Sequence, residues 1–314
     1  MGLKAQVKKL VCVLGSSGYI GSYLATSLKQ KFRIITHSRK RLKNPGFYEK
    51  IYKNIQGNIQ DQKVLEKIVK EKPNIIIYPI SFNHFVSEKN LNESLKNNYN
   101  PLQNLIKEIL KKKLKVKIIY FSTMQVIGRA YTKSIINENY PKNISNIYSL
   151  THSMCEDLLL NYQNRIPSHS LRLSNSFGMP AIKNLDCWWP VLNDLCRSAK
   201  LTKQIKIKSD GSALRDFISL KDISKFIQIL INKKIDEKII NLCSSKSVSI
   251  RELAERVCKN KYFKNENIKL IFKKKINKSL KMKRFKYDNS IMKKSGFIVD
   301  GSLDDQITDF LKLI

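Results

Sequence analysis

The sequence predicts an α/β protein built on a doubly wound parallel sheet, with a smaller, discontinuous C-terminal lobe. Two observations support this prediction in a chain of 314 residues, 42% of them apolar, which is enough for a large core. Short apolar segments alternate with helical patterns over the first half, as in parallel sheets with crossover helices. From about Asn175 this alternation fades and Pro180 and Pro190 interrupt the pattern.

The individual elements follow from apolar runs and helical spacing. Continuous apolar runs are typical of buried parallel strands, whereas apolar residues three and four apart indicate helices. Pro73 ends one helical pattern and Pro101 begins the next. Strands are expected at residues 10–14, 32–36, 51–55, 75–78, 116–121 and 170–173, and helical patterns at 24–28, 64–69, 102–110 and 150–162.

The domain division follows from the same pattern. Residues 1–174 are expected to form the parallel-sheet domain, and residues 175–314 mainly the second lobe. A strand near residues 239–242 is expected to return to the main sheet, so the lobe is discontinuous. Trp188 and Trp189 could stack on a base or fill the core of the lobe, and we favour the core.

The stretch from Gly15 to Gly21 lies between the first strand and the first helix, which is the context that gives a glycine motif meaning. Gly15 allows a tight turn, Gly18 lets the backbone approach a pyrophosphate, and Gly21 lets helix and strand pack closely. The helix N-terminus then attracts the phosphates. We therefore predict a Rossmann-type dinucleotide site rather than a plain glycine-rich turn, and its residues would be Gly15, Ser17, Gly18, Tyr19, Ile20 and Gly21.

The loop expected after the second strand indicates which dinucleotide binds. NAD sites usually place an acidic residue there to hold the ribose 2′-hydroxyl. Residues 32–41 contain no Asp or Glu and instead offer His37, Ser38 and Arg39. A guanidinium there would bind a 2′-phosphate, so we favour NADP over NAD, unless these cations only reflect the general basic excess. Asn58 could reach the adenine.

The charge and the cysteines limit the classes of partner. The formal net charge is +34, but lysine is spread along the chain without a nucleic-acid motif, so we predict a composition bias rather than nucleic-acid binding. The six cysteines form no CxxC pair, which argues for a reducing cytosol and against a metal site. We find no signal peptide and no apolar run that could span a bilayer, so we expect a cytoplasmic protein.

Two polar segments are expected at the carboxyl edge of the sheet, where ligands of open α/β sheets bind. Thr123 follows the fifth strand, and Tyr148 begins the next helix. A hydroxyl and a phenol that meet there could move a proton while a nicotinamide moves a hydride.

With these residues in place, the sequence resembles the extended short-chain dehydrogenase/reductase family over nearly its whole length. The family contains NAD(P)-dependent sugar-nucleotide epimerases, dehydratases and reductases. The resemblance rests on GxxGxxG at Gly15, Gly18 and Gly21, on the tyrosine motif at Tyr148, on Asn98, on an LRxxNxxGP-like segment at residues 171–180, and on a DGxxxRDFI-like segment at residues 210–218.

The resemblance implies roles at matching positions. Tyr148 is the catalytic tyrosine and Thr123 the residue that hydrogen-bonds the substrate oxygen. Asn175 lines the sugar-nucleotide cleft, Arg215 contacts the nucleotide diphosphate, and Asn98 belongs to the cofactor site. The implied activity is hydride transfer on a nucleotide-activated sugar, and the implied assembly is a homodimer through a helix pair.

The family motif is YxxxK, whereas this chain has His152 at the lysine position. In the family that lysine holds the nicotinamide ribose and lowers the pKa of the tyrosine. A histidine four residues on still shares the helix face with Tyr148. It could replace the lysine, relay protons, or mark a protein that binds NAD(P) without catalysis.

A second departure concerns the type of reaction. Family dehydratases carry an Asp-Glu pair after the Ser/Thr, and Met124 and Gln125 stand there in this chain. Neither side chain can act as that acid or base, so 4,6-dehydration is disfavoured. Epimerisation and ketone reduction remain, and the basic residue Arg39 slightly favours an NADPH-dependent reductase.

Overall fold

A seven-stranded parallel sheet forms the centre of the molecule. The computed structural model describes residues 8–42, 44–82, 84–128, 134–274 and 284–314. The strand order is β3-β2-β1-β4-β5-β6-β7, and each neighbouring pair is parallel. The strands are β1 (Leu10–Val13), β2 (Arg33–Ser38), β3 (Lys53–Gln56), β4 (Ile75–Tyr78), β5 (Lys117–Thr123), β6 (Ser168–Leu173) and β7 (Ile239–Leu242).

Helices cover both faces of this sheet and build the second lobe. The longer helices are α1 (Tyr19–Leu28), α2 (Gln62–Lys70), α3 (Asn100–Lys111), α4 (Ile147–Asn161), α5 (Val191–Thr202), α6 (Leu220–Asn232), α7 (Ile250–Cys258) and α8 (Leu303–Leu313). Shorter helical segments are Pro45–Tyr48, His84–Ser87, Leu91–Ser94, Leu95–Tyr99, Met124–Ile127, Lys261–Phe263 and Ser290–Lys294. Asn100 follows directly on the π-helical turn Leu95–Tyr99, and Pro101 stands in the first turn of α3, where its missing N–H is tolerated.

Alternate residues of each strand point to opposite faces, and this divides the core in two. Val11 and Val13 pack with α1 and α6 on one face. Cys12 and Leu14 pack with α2, α3 and α4 on the other. Burial on both faces explains why these strands read as continuous apolar runs.

The C-terminal lobe has its own core, formed by α5, α7 and α8 around Phe177, Phe217 and Phe263. β7 comes late in the chain but pairs with β6 in the main sheet, so the lobe is interrupted there. The small sheets pair Leu214–Ser219 with Ser247–Ser249 and Asn175–Phe177, Gln204–Ile207 with Lys269–Phe272, and Ile135–Ile136 with Lys286–Tyr287.

The chain order changes direction between β1 and β4. In open α/β sheets, the crevice outside the carboxyl ends of the strands at such a point is the usual ligand site.

Among the described residues, no helix is long and apolar enough to cross a membrane.

Candidate functional site

The glycine-rich turn between β1 and α1 depends on its glycines for steric reasons. Gly15 has a φ of +60°, a left-handed conformation that side chains disfavour. A Cβ atom on Gly21 would lie 2.3 Å from the carbonyl oxygen of Gly15. No side chain of the described residues caps the start of α1, so its first N–H groups are available to an anionic group.

The structure corrects the predicted role of His37. We expected His37 and Ser38 in a loop, but β2 continues through both residues and buries them. His37 Nε2 lies 3.1 Å from the Gly57 carbonyl oxygen, and burial lowers the pKa of the ring to about 4. The neutral ring therefore joins β2 to the end of β3 and is not free to bind a 2′-phosphate.

Ser38 and Arg39 differ from each other in what they can reach. The hydroxyl of Ser38 donates to the Lys40 carbonyl oxygen at 2.8 Å, so it is used in the turn. Arg39 follows β2 directly and is exposed. Of the three residues predicted for the 2′ position, Arg39 is the one whose charged group faces solvent.

Two other predicted cofactor residues make contacts within the protein. Asn58 accepts the Gln60 N–H through its side-chain oxygen at 3.2 Å and shapes the turn after β3. The Tyr19 hydroxyl donates to the Gly178 carbonyl oxygen at 3.0 Å, which connects α1 to the start of the second lobe. Ser17 and Ile20 are partly exposed beside the glycines.

The tryptophan pair does not fill the lobe as expected. Trp188 is partly buried and packs against the apolar clusters. Trp189 is 55% exposed, and its ring lies edge-on to Tyr19 with centroids 5.7 Å apart. The expectation of a core role was therefore wrong for Trp189.

Tyr148 and Thr123 converge at the carboxyl edge of the sheet. The Tyr148 hydroxyl is close enough to the side chains of Thr123 and Ser81 for both to affect its pKa. Burial raises the pKa of Tyr148 above its ordinary value, and these two side chains partly oppose that shift. Ser81 is not among the residues predicted from the sequence, although its position just after β4 could have indicated it.

Local sequence explains how α4 presents Tyr148. The side chain of Asn146 caps the helix by accepting the Ser149 N–H at 2.7 Å. Glu88 accepts the backbone N–H of Tyr148 at 3.1 Å, which satisfies another free donor of the first turn. Tyr148 is thus held in the first turn of α4, opposite the end of β5.

His152 lies one turn further along α4 and is buried, with 2% of its surface exposed. Its ring contacts the Tyr148 ring at 4.5 Å between centroids, and its Nδ1 lies 2.7 Å from the Tyr120 hydroxyl. Burial lowers the pKa of His152 to about 4, so the ring is neutral at pH 7. Unlike a lysine, it brings no positive charge to Tyr148.

Asn98, which is expected in the cofactor site, makes hydrogen bonds within the protein. The side chain is buried in the π-helical turn Leu95–Tyr99. Its oxygen accepts the Phe82 N–H at 2.6 Å, and its nitrogen donates to the Thr151 hydroxyl at 3.0 Å. Asn98 therefore joins the segment after β4 to α4, which carries Tyr148 and His152.

A buried ion pair between Glu156 and Arg172, which we did not predict from the sequence, lies beside α4. Glu156 of α4 accepts from Arg172 Nε at 3.0 Å and from Arg172 Nη2 at 2.9 Å, in a bidentate arrangement. The Ser122 hydroxyl donates to the same carboxylate at 2.6 Å. The pair connects α4 to β5 and β6, so it supports the position of Tyr148.

Asn175 and Arg215, which are expected to bind substrate, lie on neighbouring strands of a small sheet. Asn175 donates to the Asp216 carbonyl oxygen at 2.9 Å, and the strands that carry Asn175 and Arg215 are hydrogen-bonded neighbours. Arg215 is partly exposed, and its Nη1 donates to the Leu214 carbonyl oxygen at 2.7 Å. Asp216 is fully buried and accepts from the N–H groups of Ser244 and Lys246.

This parallel sheet, its glycine turn and the Tyr148–Thr123 pair define a Rossmann-fold protein of the type that uses a dinucleotide. The family model described as "NAD dependent epimerase/dehydratase family" matches residues 11–243. The chain therefore belongs to the NAD-dependent epimerase/dehydratase family, whose members act on nucleotide sugars.

Two curated relatives and one solved structure show the range of the similarity. The dTDP-D-glucose 4,6-dehydratase of Dictyostelium discoideum is 26% identical over 79% of this chain and 61% of its own length, so the chain spans less than two thirds of that relative. The GDP-6-deoxy-D-talose 4-dehydrogenase of Aggregatibacter actinomycetemcomitans is 26% identical over 79% of each chain. The UDP-glucose 4-epimerase of Thermus thermophilus, solved with NAD, superimposes with a TM-score of 0.81, covering 96% of this chain and 98% of that chain at 15% identity.

Proposed function

We propose that this protein is an NADPH-dependent reductase of a keto-sugar nucleotide, with Tyr148 as the proton donor. The observation that carries the proposal is the convergence of Tyr148, Thr123 and Ser81 at the carboxyl edge of the sheet. An epimerase that acts on a nucleotide sugar is the other activity that this site could support.

The protonation state of Tyr148 favours reduction. Burial raises the pKa of the phenol, and His152 is neutral, so the phenol keeps its proton at pH 7. A protonated phenol can donate to a carbonyl oxygen that becomes an alcohol, whereas oxidation of an alcohol needs a base. In this proposal, Thr123 and Ser81 would donate hydrogen bonds to the same carbonyl oxygen of the substrate.

The protein fits a dinucleotide in two places. The glycine turn and the uncapped start of α1 would hold the pyrophosphate, and the buried Nε2 of His152 has no partner within the described chain. When bound, the nicotinamide supplies the hydride that the reduction needs. Arg39 would bind the 2′-phosphate of NADP through its exposed guanidinium.

The residues after Thr123 give no support to dehydration. Met124 is buried in an apolar cluster, and the side-chain oxygen of Gln125 accepts from Asn146 at 3.3 Å. Neither side chain can act as the acid or the base that removes water from a sugar. The Dictyostelium discoideum relative is named as a 4,6-dehydratase, so a dehydratase assay belongs in any test of this protein.

The decisive experiment is Tyr148→Phe. NADPH oxidation would be followed with a panel of 4-keto-6-deoxy nucleotide sugars, and nucleotide-sugar epimerisation and dehydration would be assayed in parallel. We expect wild type to reduce one of the ketones and the variant to be slower by roughly 10²–10⁴-fold, because proton donation is lost. Tyr52→Phe, at the opposite end of the sheet, is the control that should keep full activity.

The possible results separate the alternatives. An unchanged rate for Tyr148→Phe on every accepted substrate would refute the catalytic role of the phenol. NADPH binding without turnover of any substrate would instead support a protein that binds the dinucleotide without catalysis. Replacement of His152 by Lys should broaden the pH range of activity if the histidine takes the place of the family lysine.

The cofactor preference has its own test. Arg39→Asp should weaken NADPH binding more than NADH binding, because a carboxylate repels the 2′-phosphate. Arg165→Asp makes the same charge change in an exposed residue before β6, at the opposite edge of the sheet, and should affect both cofactors equally. An equal loss of both cofactors in Arg39→Asp would remove the preference for NADP.

We also propose that the protein forms a homodimer and lies in the cytoplasm. Leu150 and Leu160 of α4 are 36% and 39% exposed, and they would support a homodimer formed through a helix pair. The six cysteines are all free, which supports a reducing compartment such as the cytoplasm. Sedimentation of the purified chain would test the dimer, and a monomer at micromolar concentration would refute it.

A further inference from the structure

The two ring nitrogens of His152 are in different situations. Nδ1 lies 2.7 Å from the Tyr120 hydroxyl, and both side chains are buried. Nε2 is also buried, yet no group of the described chain lies within hydrogen-bonding distance of it. Buried polar atoms are rarely left without a partner, so Nε2 is a candidate atom for ligand binding.

A neutral imidazole couples the behaviour of its two nitrogens. One nitrogen carries the proton and donates, and the other accepts. If the Tyr120 hydroxyl donates to Nδ1, Nε2 carries the ring proton and donates. If the hydroxyl accepts from Nδ1–H, Nε2 is unprotonated and accepts.

The surroundings of Tyr120 indicate that its hydroxyl donates. The phenol keeps its proton, because burial raises its pKa well above the ordinary value. The thiol of Cys155 is the competing acceptor for the Tyr120 proton, because the two side chains interact directly. The thiol directs its own proton to the Asn98 carbonyl oxygen at 3.5 Å, and its sulfur atom is a weak acceptor. Nδ1, at 2.7 Å, is the better acceptor for the Tyr120 proton.

We propose that Tyr120 is a positioning residue that holds His152 in the Nε2–H tautomer, so that Nε2–H donates to a hydroxyl of the nicotinamide ribose. This inference rests on the proposed dinucleotide function. In the family, a charged lysine makes the ribose contact directly. In this chain a neutral donor on α4 is oriented by a buried phenol on β5.

The tautomer can be measured without any ligand. Long-range ¹H–¹⁵N correlation spectra of histidine-labelled protein distinguish a protonated ring nitrogen from an unprotonated one, and the spectrum of His152→Gln identifies the signals of His152. We expect Nε2 protonated and Nδ1 unprotonated in wild type, and a mixture of tautomers in Tyr120→Phe. A protonated Nδ1 in wild type would overturn the proposal.

Cofactor binding gives a second readout. NADPH fluorescence titration should show about tenfold weaker binding for Tyr120→Phe, or about 1.4 kcal/mol, the size expected for one neutral hydrogen bond. Tyr78→Phe is the matched control: Tyr78 is the buried neighbour on β4, with ring centroids 5.9 Å apart, and its hydroxyl has no partner within the described chain. It should bind NADPH as wild type does.

A double variant separates positioning from a general structural effect. Gln at position 152 offers an amide N–H donor that needs no tautomer, so Tyr120→Phe should cost no further NADPH affinity in the His152→Gln background. A further tenfold loss there, or unchanged affinity in the single variant Tyr120→Phe, would overturn the proposal. If wild type itself binds no dinucleotide, the proposed function and the ribose contact both fail, whereas the ligand-free spectra still decide whether Tyr120 selects the tautomer.

Discussion

The buried pair of Glu156 and Arg172 offers a sharp test of how the site is supported. Glu156 is fully buried and Arg172 is 2% exposed. In Glu156→Gln the arginine keeps its charge but loses the carboxylate that it contacts through two nitrogens. It keeps the hydrogen bond from Nη1 to the Glu138 carbonyl oxygen at 2.9 Å and the weaker attraction of the Glu138 carboxyl group. Breaking one side of a buried ion pair typically costs about 3–5 kcal/mol, because an uncompensated charge is left inside.

This cost can be measured by thermal and urea unfolding. For a chain of this size, a loss of about 4 kcal/mol corresponds to a fall in Tm of roughly 10 °C. Lys142→Met is the control, because Lys142 is a quarter exposed, lies 3.4 Å from the same carboxylate, and should contribute less than about 1 kcal/mol.

The double variant Glu156→Gln/Arg172→Met completes the test. Removal of both charges should cost less than the sum of the single variants, because neither charge is then left unpaired. Strict additivity, or a fall in Tm of Glu156→Gln no larger than that of Lys142→Met, would refute the view that this pair holds α4 in place.

Two further predictions concern the glycine turn and the response to acid. Gly21→Ala should strongly destabilise the turn and abolish NADPH binding, because its Cβ would lie 2.3 Å from the Gly15 carbonyl oxygen; wild-type NADPH affinity would contradict this. His37, His152 and His169 are buried with pKa values lowered to about 4, so the unfolded chain binds protons more readily below about pH 6.5. Stability should be complete above that pH and fall progressively towards pH 4, by up to about 3 kcal/mol per histidine. Urea midpoints from pH 7 to pH 4 measure this, and an unchanged midpoint in that range would contradict it.

Much of the fold could be predicted because local patterns are strong in a buried parallel sheet. The fourth strand was expected at residues 75–78 and is observed at Ile75–Tyr78. The carboxyl end of β2 could not be predicted, because the polar residues His37 and Ser38 are typical of a loop. Pairing with β3 and the turn after it supplies the partners: His37 Nε2 lies 3.1 Å from the Gly57 carbonyl oxygen, and the Ser38 carbonyl oxygen accepts the Gly57 N–H at 3.1 Å. The strand therefore continues through both residues.

The residues of the candidate site also differ in whether the sequence alone indicates them. The glycines, Thr123 and Tyr148 could be found from the sequence, because their spacing places them at strand ends and helix starts, and the chain order then brings them to one edge of the sheet. Tyr120 and the partner of Arg172 could not, because these contacts join residues 32 and 16 positions apart. They depend on which strands become neighbours and how far each side chain is buried. That same burial, which no sequence pattern reports, makes His152 a neutral ring with one nitrogen left unpaired within the described chain.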